Sequence, residues 1–217
     1  MKLKTACCLL FLAISFHIAA QQTKSDQSFE RKWMIRLNPL GLADPFETNF
    51  SMGAEYIFRD RWAVAADASW VIESRYFSNA KSSGGMIFRP AVRYYFNEKR
   101  TAFLELEGQY KEVGYTIHDW LGKNDVNGVS AYEELTDFRF QKNVWGLHIK
   151  GGLKAPISRS KKFWIEGYWG VGFRVRRTFI RNEPNSSYNA SGDNFFNGAN
   201  DATLPAVPVG LRLLYLL

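Results

Sequence analysis

Few side chains in this sequence have types and spacings suited to catalysis. Beyond residue 20 there are two histidines, His118 and His148, and no cysteine. His118 precedes Asp119 and is followed further on by Ser130, and these three could supply a base, an orienting carboxylate and a nucleophile. The simpler interpretation is an ordinary polar loop. His148 lies in an alternating segment, where pairing with an interior carboxylate explains it better than catalysis. We therefore predict no catalytic residues.

Metal and cofactor sites have even less support in the sequence. The segment Lys123–Gly128 partly matches a calcium-binding loop, but an acidic residue is missing at its first position. A zinc site would need more histidines or a cysteine. No glycine-rich phosphate loop leads from a strand into a helix. The sequence therefore predicts no metal site and no cofactor.

A polar segment near the end of the chain has a composition suited to recognition. Residues 181–202 combine six asparagines with three aromatic residues. Amides adapt to varied hydrogen-bonding partners, whereas aromatic rings supply contact area. A glycan or a protein surface is the expected partner, and a solvated loop is the simpler alternative. The candidate recognition residues are Tyr188, Asn189, Asn194, Phe195 and Phe196.

The elements that would carry these segments are strands. From Phe46 to Phe58 apolar and polar residues alternate over thirteen positions, which is typical of a strand with one apolar face. Seven further segments alternate in the same way, so we predict eight strands. Their apolar positions begin at Trp33, Phe46, Trp62, Phe88, Leu104, Trp145, Phe163 and Val207.

The connections between the predicted strands alternate in length, except for the link after strand one, at 41–45, which is also short. Short turns follow strands two, four and six, whereas long loops follow strands three, five and seven, at about 74–85, 115–143 and 181–202. Short turns at one end and long loops at the other are typical of up-and-down barrels of the outer-membrane type. Proline interrupts strands at Pro90 and Pro208, where we expect bulges or rim positions.

Three features favour a barrel whose apolar face meets lipid. Several predicted strands have 10–14 residues, whereas soluble strands centre near ~5–6. Aromatic residues lie near the strand ends, as in a membrane girdle. Charges of both signs occupy the middle of the polar faces. We therefore predict an all-β fold, an eight-stranded antiparallel up-and-down transmembrane β-barrel, over residues 31–217. A soluble barrel with the apolar face inward is the architectural alternative.

The charges on the polar faces would lie inside this barrel. Eight strands enclose a narrow interior that side chains nearly fill, so we expect a closed network of ion pairs rather than a pore. The predicted interior network comprises Glu55, Asp67, Arg89, Arg93, Glu105, Glu107, Lys150, Glu166, Arg174 and Arg212.

The first twenty residues have the organisation of a secretory signal peptide. Lys2 and Lys4 precede an apolar run that ends at Ala19 and Ala20, before polar Gln21. We predict a signal peptide over residues 1–20 and a flexible polar lead over residues 21–30. Together with the barrel, this indicates the outer membrane of a Gram-negative-type bacterium.

The basic character of the chain is concentrated in the short turns. The full sequence has 28 basic and 21 acidic residues, and residues 1–20 contain two of the lysines. The remaining net charge of 26 − 21 = +5 equals the net charge of the three short turns, which hold seven basic and two acidic residues. We therefore predict a basic periplasmic rim near lipid phosphates and no nucleic-acid partner. The seven basic residues are Arg59, Arg61, Lys99, Arg100, Arg159, Lys161 and Lys162.

Two short motifs carry a resemblance to a known class of proteins. The two motifs are the segments Asn38–Leu42 and Arg89–Phe96. Through them, residues 33–217 resemble small eight-stranded outer-membrane barrels of the OmpA/OmpX type, and more specifically Bacteroidetes-type barrels of uncharacterised function. The last strand, with Tyr215 third from its end, resembles the signal read by the barrel-assembly machinery, although Leu217 stands where an aromatic residue is usual. The resemblance implies lipid and that machinery as partners, and it implies no functional residues.

The sequence thus predicts a non-enzymatic barrel with a structural or surface-interaction role, which binds through the outer loops 115–143 and 181–202. The first alternative is a narrow, porin-like solute channel. The second is a lipid-modifying enzyme that uses His118 at the outer rim.

Overall fold

The computed structural model describes residues 33–125, 129–183, 185–188 and 201–217. The predicted signal peptide and the predicted polar lead lie outside these residues. No helix within the described ranges is long and apolar enough to span a membrane. The elements are β1 (Trp33–Asn38), a short 3₁₀ helix (Pro39–Ala43), β2 (Glu47–Arg59), β3 (Trp62–Ser74), β4 (Ala80–Tyr95), β5 (Ala102–Lys123), β6 (Tyr132–Pro156), β7 (Phe163–Ile180), β8 (Ala202–Ala206) and β9 (Val209–Leu216).

The strands form a closed antiparallel ring. Each strand from β1 to β7 pairs with the next along the chain, and β9 pairs with both β7 and β1. β8 and β9 both pair with β7, one after the other along it. Together they therefore form the eighth strand of the ring. The predicted all-β, eight-stranded antiparallel barrel is therefore confirmed.

Proline interrupts the ladder at the two positions where the sequence indicated it. Between Ala206, which faces Gly172, and Val209, which faces Trp169, the last strand is broken at Val207 and Pro208. The alternation in the sequence predicts one strand from Val207 onwards, but Pro208 has no N–H to donate to the ladder. Pro90 faces Ala66 on β3, whereas its pairing with β5 is interrupted.

The largest difference from the prediction is the length of the β5–β6 hairpin. Pairing runs without interruption from Ala102 opposite Leu153 to Lys123 opposite Tyr132. The predicted loop 115–143 is therefore wrong, because only residues 124–131 connect the two strands. Similarly, β4 begins at Ala80, which shortens the predicted loop 74–85. The hairpin persists because alternate side chains along it are buried, namely Val113, Tyr115, Ile117, Leu121, Phe138 and Phe140.

The two faces of the barrel wall differ sharply in chemistry. Every position of the ring exposes a large apolar side chain on the outer surface; Leu106 is 48% exposed and Ile149 is 52% exposed. The inward faces bury charged side chains instead. One exposed apolar residue from each ring position is Leu37, Met52, Val64, Val92, Leu106, Ile149, Val171 and Leu213.

Apolar side chains fill the interior near each end. At the end with the short turns, Met34, Tyr95, Phe103, Trp164 and Leu214 are buried. Toward the opposite end, a second apolar cluster forms on the β3–β6 side from Val71, Phe77, Ile87 and the buried residues of the hairpin. The charged interior thus lies between two apolar regions.

Candidate functional site

Arg93 is the centre of the charged interior. It projects inward from β4 opposite Glu105 of β5 and is fully buried. Its Nη2 lies 2.5 Å from Glu105 Oε2, and its Nη1 lies 2.6 Å from Glu166 Oε2 and 3.0 Å from Glu55 Oε2. The guanidinium carbon also lies 3.7 Å from the centre of the Phe103 ring. One cation therefore joins carboxylates from three strands.

Arg212 and Arg36 extend this arrangement around the ring. Arg212 Nη1 lies 2.8 Å from Glu166 Oε1 and 3.3 Å from Glu105 Oε1. Arg36 Nη2 lies 3.0 Å from Asp67 Oδ2 and 3.5 Å from Glu105 Oε2. Arg212 and Glu166 are partners on the adjacent strands β9 and β7. The contacts of Arg212 and Arg36 with Glu105 instead cross the lumen and connect walls that the sheet ladder joins only indirectly.

Lysine and histidine side chains complete the polar interior. Lys150 forms an ion pair with Glu107, and His148 Nδ1 lies 3.3 Å from the other oxygen of the same carboxylate. Lys154 Nζ donates to Tyr95 Oη at 2.7 Å. We call the following residues the central network, to which every ring position contributes: Arg36, Glu55, Asp67, Arg93, Glu105, Glu107, Lys150, Glu166 and Arg212.

Two of the ten predicted interior residues face inward but do not belong to the central network. Arg89 is half-buried, and its Nη1 donates to Ser69 Oγ at 2.9 Å. Arg174 is exposed and, within the described part of the chain, forms no ion pair. The other eight belong to the central network, together with Arg36, which the predicted set omitted. Alternation identifies inward positions, but it cannot assign the partners across the lumen.

A second group of charges lies nearer the long-loop end. Lys111, Lys142, Arg174 and Arg176 project inward from β5, β6 and β7, and we call them the outer basic cluster. Val144 of β6 faces Lys111 on one side and Arg176 on the other. Lys111 forms an ion pair with Glu47 of β2. Lys142 was missed because it fell in the predicted loop 115–143, although the alternation of buried residues along β6 continues through it.

The candidate catalytic residues do not come together. His118 Nδ1 lies 2.5 Å from Asp137 Oδ1 across the hairpin. Asp119 instead accepts hydrogen bonds from Asn79 and Tyr188. Ser130 Oγ lies 2.8 Å from Ser187 Oγ. His118, Asp119 and Ser130 thus have three separate sets of partners, and no nucleophile–base pair forms among them.

Tyr188 anchors the last long loop to the hairpin. Its ring centre lies 4.9 Å from that of Phe138 and 5.8 Å from that of Phe140, and its hydroxyl donates to Asp119 Oδ2 at 3.0 Å. Burial, followed by the Asp119 hydrogen bond, raises the pKa of Tyr188. Burial alone would raise the pKa of Asp119, but hydrogen bonds from Asn79, the Trp120 N–H and Tyr188 lower that pKa below its usual value.

This packing differs from the exposed recognition role that we expected for Tyr188. The loop composition indicated aromatic anchors for a partner, but the described contacts of this ring are made within the chain. The other four predicted recognition residues, Asn189, Asn194, Phe195 and Phe196, lie outside the described residues.

The segment that partly matched a calcium loop offers no cation site in its described part. Lys123 Nζ lies 2.8 Å from Glu183 Oε2 and 3.6 Å from Glu134 Oε2, so a lysine already occupies the nearby carboxylates. Residues 126–128 lie outside the described ranges. Across the described ranges, no group of three or more potential metal ligands is present.

Comparison with known proteins identifies a family. No curated protein and no solved structure matches the chain. The family described as "Protein of unknown function (DUF3575)" matches residues 6–216. Because the match extends over nearly the whole sequence, the chain belongs to the DUF3575 family.

Proposed function

We propose that this protein is an integral outer-membrane β-barrel with a closed interior and a non-enzymatic role at the cell surface. It is exported by a signal peptide at residues 1–20, inserted by the barrel-assembly machinery, and held in lipid. The observation that carries this proposal is the inverted distribution of polarity. A barrel wall with apolar side chains outside and paired charges inside is suited to contact with lipid. In a water-soluble protein, charged side chains are expected on the outer surface instead.

The outer surface supports the membrane assignment in detail. β2 and β3 each have 13 residues, and a tilted strand needs ~9–11 to cross a bilayer. Aromatic pairs lie near the short-turn end, with ring centres 5.0 Å apart in both Trp62–Tyr94 and Phe163–Tyr215. Such rings suit the boundary between acyl chains and headgroups. The basic short turns at the same end would contact lipid phosphates.

The interior supports a structural role over conduction. The central network joins all positions of the ring, and apolar side chains are buried on the short-turn side of it. A conducting pore would need a continuous hydrated path, whereas paired guanidinium and carboxylate groups fill the space in an eight-stranded barrel. This agrees with the resemblance to barrels of the OmpA/OmpX type.

The closed barrel gives a first prediction for the purified protein. We expect it to require detergent, to migrate faster on a gel before boiling than after it, and to show no discrete conductance in a planar bilayer. A monomer that stays soluble without detergent would contradict the membrane assignment. Discrete, voltage-independent current steps would instead favour the channel.

The outer hairpin is the best candidate for the surface that meets a partner. β5 and β6 have 22 and 25 residues, whereas the neighbouring β3 has 13, so the hairpin projects beyond that strand. Trp120 faces Leu135 across the ladder, and these side chains are 57% and 50% exposed. Exposed aromatic and apolar side chains on a rigid hairpin suit contact with a glycan or a protein.

A second prediction tests this surface. We expect the double substitution Trp120→Ala with Leu135→Ala to weaken partner binding by about 30-fold or more, since an aromatic hot spot contributes ~2 kcal/mol or more. The probes are a glycan array with the purified barrel and a photo-crosslinker at residue 120 in intact cells. Thr116→Ala on the same hairpin is the matched control, and heat-modifiable migration verifies folding. If both probes capture nothing with the unsubstituted protein, the surface-interaction role is wrong.

A further inference from the structure

The outer basic cluster has an excess of positive charge. Lys111, Lys142, Arg174 and Arg176 project into the same part of the lumen, where Glu47 supplies the facing carboxylate. Lys142 interacts electrostatically with each of the other three basic residues and with Glu47. Of these four residues, Lys142 and Arg174 form no ion pair within the described part of the chain, whereas the central network is rich in carboxylates.

Lys142 is the buried member of the cluster that has no ion-pair partner among the described residues. Its side chain is 4% exposed, and its ammonium lies 4.2 Å from the centre of the Tyr76 ring. Among the described residues it forms no ion pair and no hydrogen bond, and its carboxylate neighbour Glu47 is already paired with Lys111. A largely buried charge without an ion-pair partner is unfavourable. The contact with the Tyr76 ring offsets only part of that cost.

Glu47 is incompletely satisfied in a complementary way. Its Oε2 pairs with Lys111, whereas its Oε1 is buried and has no hydrogen-bond partner in the described part of the chain. A buried acceptor left without a donor also costs free energy. The cluster therefore lacks an anion beside Lys142 and a hydrogen-bond donor beside Glu47.

The strands of the barrel wall approach one another closely between the central network and the outer basic cluster. Glycines occupy inward positions of β6 and β7 between the central network and the outer basic cluster, at Gly146, Gly170 and Gly172. A Cβ at Gly172 would lie 2.2 Å from the carbonyl oxygen of Leu147, so the close approach of the strands itself requires glycine there. Arg174, which flanks these glycines, is exposed to solvent. A small molecule from the aqueous side can therefore reach the cluster.

From these observations we propose that the outer half of the lumen binds a small, water-soluble phosphate-bearing anion between Lys142 and Arg174. Lysine and arginine donors suit phosphate oxygens, and arginine can bind two of them at once. A hydrogen phosphate group also carries an O–H, which can donate a hydrogen bond to the unsatisfied Glu47 Oε1. A lipid headgroup is the other source of phosphate. To bind here it would have to enter the lumen while its acyl chains stayed outside the barrel wall.

The test is a titration of the purified full-length barrel in neutral detergent with inorganic phosphate, followed by calorimetry and by thermal unfolding. We expect saturable binding and a phosphate-dependent rise in unfolding temperature. Lys142→Gln and Arg174→Gln should each weaken binding by about tenfold or more, since a charged hydrogen bond contributes ~1.5–3 kcal/mol. Arg139→Gln is the matched control, because Arg139 is exposed on the same strand as Lys142.

Folding of the variants is separable from binding. Arg174 is exposed and forms no ion pair within the described ranges, so Arg174→Gln should fold normally. Lys142→Met should leave the phosphate-free barrel at least as stable as before, because it removes a buried unpaired charge, and should abolish the phosphate effect. A large loss of stability in the phosphate-free Lys142→Met barrel would overturn the proposal.

A second arm distinguishes the two sources of phosphate. The barrel is compared in vesicles of phosphatidylcholine alone and in vesicles that also contain phosphatidylglycerol, without soluble phosphate. We expect no Lys142-dependent stabilisation by the anionic lipid. Stabilisation that requires the lipid, no saturable phosphate binding, or equal binding by the Lys142→Gln variant would each overturn the proposal. None of these outcomes bears on whether the barrel spans a membrane.

Discussion

Replacement of Arg93 with methionine is expected to abolish the folded form of the barrel that migrates faster on a gel before boiling. Arg93 has ion pairs with Glu55, Glu105 and Glu166, and all four side chains are fully buried. Removing one partner of a buried pair typically costs ~3–5 kcal/mol, because the remaining charge is uncompensated. In this case three carboxylates lose a shared cation, so the cost should lie at or above the upper end. Unfolding in urea, from detergent or lipid, measures it.

Two further variants separate loss of charge from loss of packing. Arg93→Lys retains the charge but cannot contact several carboxylates with a planar fork, so we expect an intermediate loss of stability. Arg93→Met combined with Glu166→Gln removes one of the three carboxylates that lose their contact with Arg93 and should recover part of the loss. Arg177→Met is the control, because Arg177 is 68% exposed and, among the residues that the structure describes, forms an ion pair with Asp201 alone. Equal stability of Arg93→Met and the unsubstituted protein would show that the central network does not hold the barrel together.

The sequence predicted the local part of this architecture well. Alternation from Phe46 to Phe58 corresponds to β2 at Glu47–Arg59, since period-two patterning directly records which side of a strand is buried. The same pattern identified Arg93 and Glu105 as inward-facing charges. Eight strands with alternating short and long connections then left the closed ring as the simplest arrangement, and the pairing of β1 with β9 bears this out.

The remaining features depend on contacts between distant segments. Polar residues around Asp119 suggested a loop, but the hairpin continues because Phe77 and Tyr188, from other loops, pack on its buried face. The same contacts place Tyr188 inside rather than outside. Arg174 and Arg212 both occupy inward-facing positions of their strands. Which of the two lies near carboxylates depends on strands that are distant in the sequence. Propensity and periodicity contain no information of this kind.

Introducing a charge on the outer wall should be costly only if that wall contacts lipid. Ile149 is 52% exposed and lies midway between Trp145 and Leu153 along β6, beside Leu106 of β5 and Val171 of β7. In a transmembrane barrel, arginine at the bilayer midplane costs ~2–4 kcal/mol, and near the interface only ~0–1 kcal/mol. We therefore expect Ile149→Arg to lower the free energy of unfolding in lipid vesicles by ~2–4 kcal/mol.

The matched control is Ile157→Arg, in the short turn after β6, where the side chain is 59% exposed. Similar exposure of the two isoleucines means that a water-facing wall would tolerate both substitutions equally, and Ile149→Arg would then improve solubility without detergent. A lipid-facing wall instead separates them by depth, because the cost of burying a charge falls toward the interface. Tryptophan fluorescence during urea unfolding in vesicles measures both. The difference between the two variants therefore reports the position of the apolar belt relative to the bilayer independently of any ligand or partner.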